Sequence, residues 1–342
     1  MIKRAILGAG ILAAGMWGAS SLASAESLTM YCGVDEVWCQ QTARAFEEKT
    51  GITVDMTRKS AGEIYAQLRA EAANPKGDIW WGGTGDPHLQ AAEEGLTEEY
   101  KSPLLDQLQP WAIKQAETSG HRTVGIYSGA LGFGYNKDLL AKNNLPEPKC
   151  WADLTKPEYK GHIQVANPNS SGTAYNMLAT IVQLFGEDKG FEYLKALHKN
   201  VNQYTKSGSA PIKAAGLGET TIGIVFIHDA VSQVVAGFPI VPVTPCEGTG
   251  YEIGSESIIK GARNMEAAKK FYDWALEADV QSTAQDAGSF QVPSNKAAKT
   301  SDKAPDLAAI KLIDYDFKKY GSSEERKRLL KKWDEEVASL PQ

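Results

Sequence analysis

Histidine and cysteine are scarce in this 342-residue chain, five and four respectively, and none of them sits in a pattern that builds metal or nucleophile chemistry. There is no C-x-x-C, no H-E-x-x-H, and no His within a few residues of any Cys. The G-x-S-x-G nucleophile elbow and the P-loop are also missing, which leaves a hydrolase or a nucleotide-binding enzyme without its usual signature. Positive charge is short: 36 Lys and Arg stand against 42 Asp and Glu. That balance opposes nucleic-acid and anionic-membrane binding, which rely on clustered cations. No internal repeat, low-complexity tract or long charge run is found. Past the first 25 residues nothing resembles a transmembrane span.

Those first 25 residues, MIKRAILGAGILAAGMWGASSLASA, have a basic start, a short apolar and small-residue core and an A-x-A ending. This pattern predicts a secretory signal peptide cut after Ala25. No Cys follows the cut, which argues against a lipid anchor. The expected mature chain is exported and soluble, with 317 residues and a net charge of -8, because the leader holds two basic and no acidic residues. That length exceeds what one hydrophobic core usually supports, so two lobes are expected.

Cys32, Cys39, Cys150 and Cys246 are an even number in a disulfide-permissive compartment. Three pairings exist. The favoured one joins Cys32 to Cys39 as a local clip and Cys150 to Cys246 as a long-range staple, which constrains the unfolded chain more.

Strand-like and helix-like segments alternate. SLTMYC (27–32) precedes a helical pattern over 35–49, GITVDMT (51–57) a helix opening at Ser60, and DIWWGG (78–83) the helix of PHLQAAEEG. A second series follows: HIQVAN (162–167) before a helix from about Thr173, VNQYT before a helix near Ala210, and TIGIVFI before a helix at Asp229. Alternation of this kind predicts an α/β chain of parallel strands with crossover helices, and in such sheets ligands bind beyond the carboxyl ends of the strands. The Pro-rich LPEPKCW (145–151) reads as a connector.

The strand-to-helix junctions are unusual in composition. SAGE (60–63) fits a capping box. GGTGDP (82–87) offers three glycines and Thr84 after a Trp-Trp strand, NPNSSGTAY (167–175) puts Ser170, Ser171, Gly172 and Thr173 at a helix start, and KSGSAP (206–211) repeats that chemistry. Each alone is explained by capping. Together, four hydroxyl- and glycine-rich junctions suggest an anion cradle, because helix N-termini bind phosphate, sulfate and carboxylate without a cationic side chain. His228 and Asp229 make a fifth junction with ionisable chemistry. The bland reading is Asp229 as a helix N-cap, and the functional one is a carboxylate and an imidazole facing sugar hydroxyls. Glu252, in the glycine-rich EGTGYEIGS (247–255), is a third candidate.

GDIWWGGTGDPHLQAAEEGLTEEY, GYNKDLL, PKCWADLTKPEYKGHIQVANPNSSGTAY and IGIVFIHDA together resemble the extracellular solute-binding proteins of bacterial ABC importers, in the group that holds ferric-ion, 2-aminoethylphosphonate and hexose-phosphate binders. The resemblance implies a two-lobed type II periplasmic-binding fold with a hinge and an interlobe ligand cleft. The lobes would span 26–130 with about 252–300, and 131–251, with crossings near 127–135 and 246–254 and with C-terminal helices in 301–342 left unassigned. Ferric binders carry adjacent tyrosines where this chain has His228 and Asp229, so an iron site is disfavoured. Hexose-phosphate binders match better. Carried over, their roles fall on His228, Asp229 and Glu252 for the sugar, on Ser60 and Thr84 for the phosphate, and on Ser171, Gly172 and Thr173 from the opposite lobe. The resemblance also implies a monomer without cofactor or metal that serves a membrane permease and its ATPase. A phosphonate or ferric-iron binder, and then a periplasmic sugar-phosphate hydrolase, are the alternatives.

Overall fold

The β-branched and aromatic runs do form strands, and the amphipathic segments between them fold back as helices. A computed structural model describes residues 26–342, and the expected signal peptide over 1–25 lies outside the described residues. In the first series, β1 (Ser27–Cys32), β2 (Thr53–Arg58) and β3 (Ile79–Thr84) are followed by α1 (Glu36–Thr50), α2 (Ala61–Glu71) and α3 (Gly85–Glu93), respectively. β1 lies parallel to both β2 and β3, and α1 is the crossover such pairing requires. It buries Trp38, Cys39, Ala43 and Phe46 on one face.

A 13-residue strand, β4 (Val124–Asn136), leads into the second series. There β5 (Ile163–Ala166), β6 (Val201–Thr205) and β7 (Ile222–Phe226) precede α4 (Gly172–Phe185), α5 (Ala210–Leu217) and α6 (Ile227–Val235). β5 is parallel to β6 and β7. β8 (Ile240–Val243), β9 (Tyr251–Ile258) and β10 (Val292–Pro293) complete the strands. Their order is β2-β1-β3-β9-β4-β7-β5-β6, with β8 and β10 also on β4.

β4 joins the lobes. Val124–Ala130 pair with β9, whereas Leu131–Tyr135 pair with β7, both antiparallel. The all-parallel expectation therefore fails at the centre, where the chain crosses directly between lobes and has no helix to reverse it. Val124, Ile126 and Tyr127 belong to a core with Phe46, Trp81 and Phe271, and Leu131, Phe133 and Tyr135 to a second core with Trp151, Tyr175 and Phe191. The unassigned C-terminal segment packs into the second core through Tyr315, Tyr320, Leu329, Trp333 and Val337. Its helix α7 (Ser323–Trp333) sets buried Arg326 4.5 Å over the Tyr175 ring. Cys32 is bonded to Cys39 and Cys150 to Cys246, the second tying the Pro-rich connector to the segment before β9. Among the described residues no helix is long and apolar enough to cross a membrane.

Candidate functional site

Six strand-to-helix junctions, three from each lobe, open onto one cleft. Its walls include Gly33, Asp35, Arg58, Ser60, Gly83, Thr84 and Tyr127 from the first lobe, and Ser171, Gly172, Thr173, Gly208, Ser209, His228 and Asp229 from the second, with Glu252 from β9. It holds about 510 Å³ of unfilled space, the part open to solvent included. All eight residues expected to contact a ligand lie on these walls. The convergence follows from topology, because parallel strands send all their carboxyl ends, and hence the helix N-termini, the same way.

One part of the cleft is rich in hydroxyls. Ser60 opens α2 with the expected capping box to Glu63, and its hydroxyl donates across the cleft to the Lys206 carbonyl at 3.1 Å. Ser171 caps α4, accepting from the Ala174 amide at 3.3 Å. Thr84 ends β3 with its hydroxyl buried and no partner among the described residues. Such an oxygen is costly unless something in the cleft pairs with it. Gly82 and Gly83 have φ of 77° and 90°, so only glycine fits this turn easily. One of its amides is already engaged, since Gly83 donates to the Tyr127 hydroxyl at 3.0 Å.

The other part is acidic. α6 starts at Ile227, two residues earlier than Asp229. Phe226 holds the cap position without a side-chain hydrogen bond, so Asp229 is not an N-cap and sits in the first turn with His228. The His228 Nε2 lies 3.7 Å from Asp229 Oδ1 and 3.6 Å from Glu252 Oε1, poised between two carboxylates without a close bond to either. Its ring stacks on Phe226 at 5.5 Å and fills the space where a side chain at Gly129 would stand, a Cβ there meeting Nδ1 at 2.3 Å. Burial pushes His228 down to about 3, against the pull of Asp35. It pushes Asp229 up to about 8, with Asp35 adding repulsion and Lys213 and Arg58 opposing. Glu252 is raised well above the carboxylate range by burial, then by Asp229. Buried as these groups are, the neutral forms are favoured, and the site is short of partners for charge.

Three residues without a role in the sequence reading, Asp35, Arg58 and Lys213, bridge the lobes. Asp35 accepts from Ser209 Oγ at 2.7 Å and from Lys213 Nζ at 3.0 Å. Burial alone would raise its carboxyl, but the Lys213 ammonium and the Ser209 hydroxyl outweigh it and hold it below the usual range. Arg58 donates to Ser207 Oγ at 3.1 Å. The same junction rule applied to Cys32–Glu36 would have found Asp35. Ser289 and Gln291, which also line the cleft, come from irregular chain and gave no signal. Tyr127 is the single tyrosine among these walls. Burial, then Glu252, raises its phenol far above its usual value.

Two lobes joined through a shared strand, with a polar cleft walled by helix N-termini, define a solute-binding protein of the type II periplasmic fold. The chain belongs to the bacterial extracellular solute-binding protein family, whose pattern matches residues 75–319. Among solved structures, it is similar to the periplasmic binding protein AfuA from Actinobacillus pleuropneumoniae with exogenous fructose-6-phosphate bound, at 47% identity over 93% of this chain and 100% of that one, with a TM-score of 0.90. It is also similar to the periplasmic binding protein P5PA, at 40% identity over 91% and 99% of the two chains and a TM-score of 0.89. A probable ABC transporter periplasmic-binding protein, y4fP, of Sinorhizobium fredii is 27% identical, covering 85% of this chain and 81% of its own. The relatives are solute-binding proteins that are periplasmic or extracellular.

Proposed function

We propose that the cleft captures a hexose phosphate in the periplasm and delivers it to the permease and ATPase of an inner-membrane ABC importer. The observation that carries this reading is the division of one cleft into two chemistries. Ser60, Thr84, Ser171, Gly172 and Thr173 form a hydroxyl- and amide-rich end suited to phosphate, and His228, Asp229 and Glu252 form an acidic end suited to sugar hydroxyls. The 47% identity to a protein solved with fructose-6-phosphate supports the same assignment. In this reading the chain is a non-enzymatic monomer, cut after Ala25. Its lobes divide at 26–130 with about 252–300, against 131–251.

The reading separates the two residue sets by ligand. Asp229→Ala or Glu252→Ala should weaken hexose phosphates by about ten- to a hundredfold, since a sugar hydroxyl left unpaired in a buried site costs roughly 1 to 3 kcal/mol, and should leave inorganic phosphate unaffected. Ser60→Ala or Thr84→Ala should weaken both. Calorimetric titration of the four variants tests this. Equal losses for both ligands in all four would contradict the division.

A further inference from the structure

Gln291 reaches the cleft from outside the pattern of junctions. It precedes β10 and follows the turn at Gly288, whose φ is 72°. Its Oε1 is buried and has no hydrogen-bond partner among the described residues. The side chain stands between two spaces, the main cleft and a smaller neighbouring cavity bounded by Trp38, Trp81, Ile126 and Pro293. That second cavity has Thr42, Gln281 and the Trp81 indole among otherwise aromatic and aliphatic walls, and the Trp81 Nε1 is likewise without a partner among the described residues. A buried carbonyl left unpaired is costly, and the cleft is the side from which a ligand can reach it.

The stretch that carries Gln291 also docks on the opposite lobe. Ser232, one turn beyond His228 in α6, donates to the Gly288 carbonyl at 2.6 Å. This bond joins the helix bearing His228 and Asp229 to the loop bearing Ser289 and Gln291.

Resting on the hexose-phosphate reading, we propose that Gln291 is a further sugar-binding residue, one that selects for the arrangement of hydroxyls. A hydroxyl donates one hydrogen bond and accepts others, and the carboxyl groups of Asp229 and Glu252, held neutral by burial, each bring a single O–H donor and a carbonyl acceptor. Sugar hydroxyls beyond those two O–H groups still need donors for their oxygens. Gln291 supplies an N–H from Nε2, and its Oε1 takes the proton of a second hydroxyl. One planar amide thus reads a pair of neighbouring hydroxyls, so hexose phosphates that place that pair differently are told apart here. Phosphate at the other end of the cleft is untouched by it.

Gln291→Met keeps length and removes both polar atoms, and Gln291→Glu keeps an acceptor but loses the donor. Calorimetry with fructose 6-phosphate, glucose 6-phosphate and inorganic phosphate, alongside the melting temperature of the ligand-free variants, tests the assignment. The expected result is at least a tenfold loss for the better-bound hexose phosphate in both variants, a narrowed ratio between the two hexose phosphates, unchanged phosphate binding and an unchanged melting temperature. Wild-type affinity for hexose phosphates in Gln291→Met would overturn the role of Gln291 and leave the hexose-phosphate reading standing. So would equal losses for hexose phosphates and inorganic phosphate, which mark a structural role. A wild-type protein that takes neither hexose phosphate would overturn the reading itself, and the inference with it.

Discussion

Gly172 offers a way to separate closure from folding. It is the first residue of α4, where glycine is not required by the backbone, yet it faces the opposite lobe at close range. A Cβ added there would meet Thr84 Oγ1 at 1.7 Å, Thr84 Cβ at 3.0 Å and Ala61 Cβ at 3.3 Å. Thr84 can turn its hydroxyl away, but its Cβ and that of Ala61 are fixed by β3 and α2. Gly172→Ala should therefore stop the lobes short of full closure. The bonds that depend on closure are those from Ser60 to Lys206, from Arg58 to Ser207, and from Ser209 and Lys213 to Asp35. If two or three are lost at a net of about 1 kcal/mol each, affinity falls roughly 30- to 150-fold for every ligand. Neither lobe is disturbed internally, and alanine in a helix is favoured over glycine by up to about 1 kcal/mol. Calorimetry for affinity, small-angle scattering for ligand-induced compaction and melting temperature for fold form the assay. The variant should melt at or above the wild-type temperature, bind weakly and fail to compact. Wild-type affinity and full compaction would refute the argument.

Three further outcomes are expected. Asp229 is raised to about 8 in the closed cleft, so the stability it contributes is present below its unfolded value near 4 and is lost as pH rises toward 8. Asp229→Asn should thus gain melting temperature over wild type between pH 5 and pH 9, increasingly with pH, and a constant difference would contradict the burial argument. Lys213→Met should leave Asp35 with Ser209 alone and lower affinity for hexose phosphates and inorganic phosphate by a similar factor, and a selective loss for one ligand would place Lys213 in direct contact instead. Replacing Cys150 and Cys246 by Ser, which opens a link of sequence separation 96, should cost about 4 to 5 kcal/mol in denaturant unfolding, and an unchanged midpoint would show that the second core needs no staple.

The strand-and-helix alternation and the junctions were legible because period and punctuation are local properties. SLTMYC and VNQYT match β1 and β6 residue for residue, and all five junctions singled out open onto the cleft. The start of α6 was misplaced because Asp is the commoner cap, whereas here Phe226 takes the cap position with backbone alone. The antiparallel pairing of β4 and β9 was missed because a strand that serves two lobes carries no different residue pattern from one that serves a single sheet. Asp35, Arg58 and Lys213 were missed because each pairs across the cleft, a relation set by how the lobes meet and not by neighbours in sequence. The return of 315–337 to the second core rests on scattered aromatics at irregular spacing, which no periodicity reveals.

The central claim is that one cleft holds a phosphorylated sugar by two chemistries at once and releases it unaltered. Titrating purified mature protein with fructose 6-phosphate, free fructose and inorganic phosphate, and then assaying the mixture for freed phosphate, tests this directly. The account predicts one equivalent of fructose 6-phosphate bound, affinity well above that for either fragment, and no phosphate released. Binding no tighter than that of inorganic phosphate alone would contradict the sugar end of the cleft, and steady release of phosphate would make the protein an enzyme.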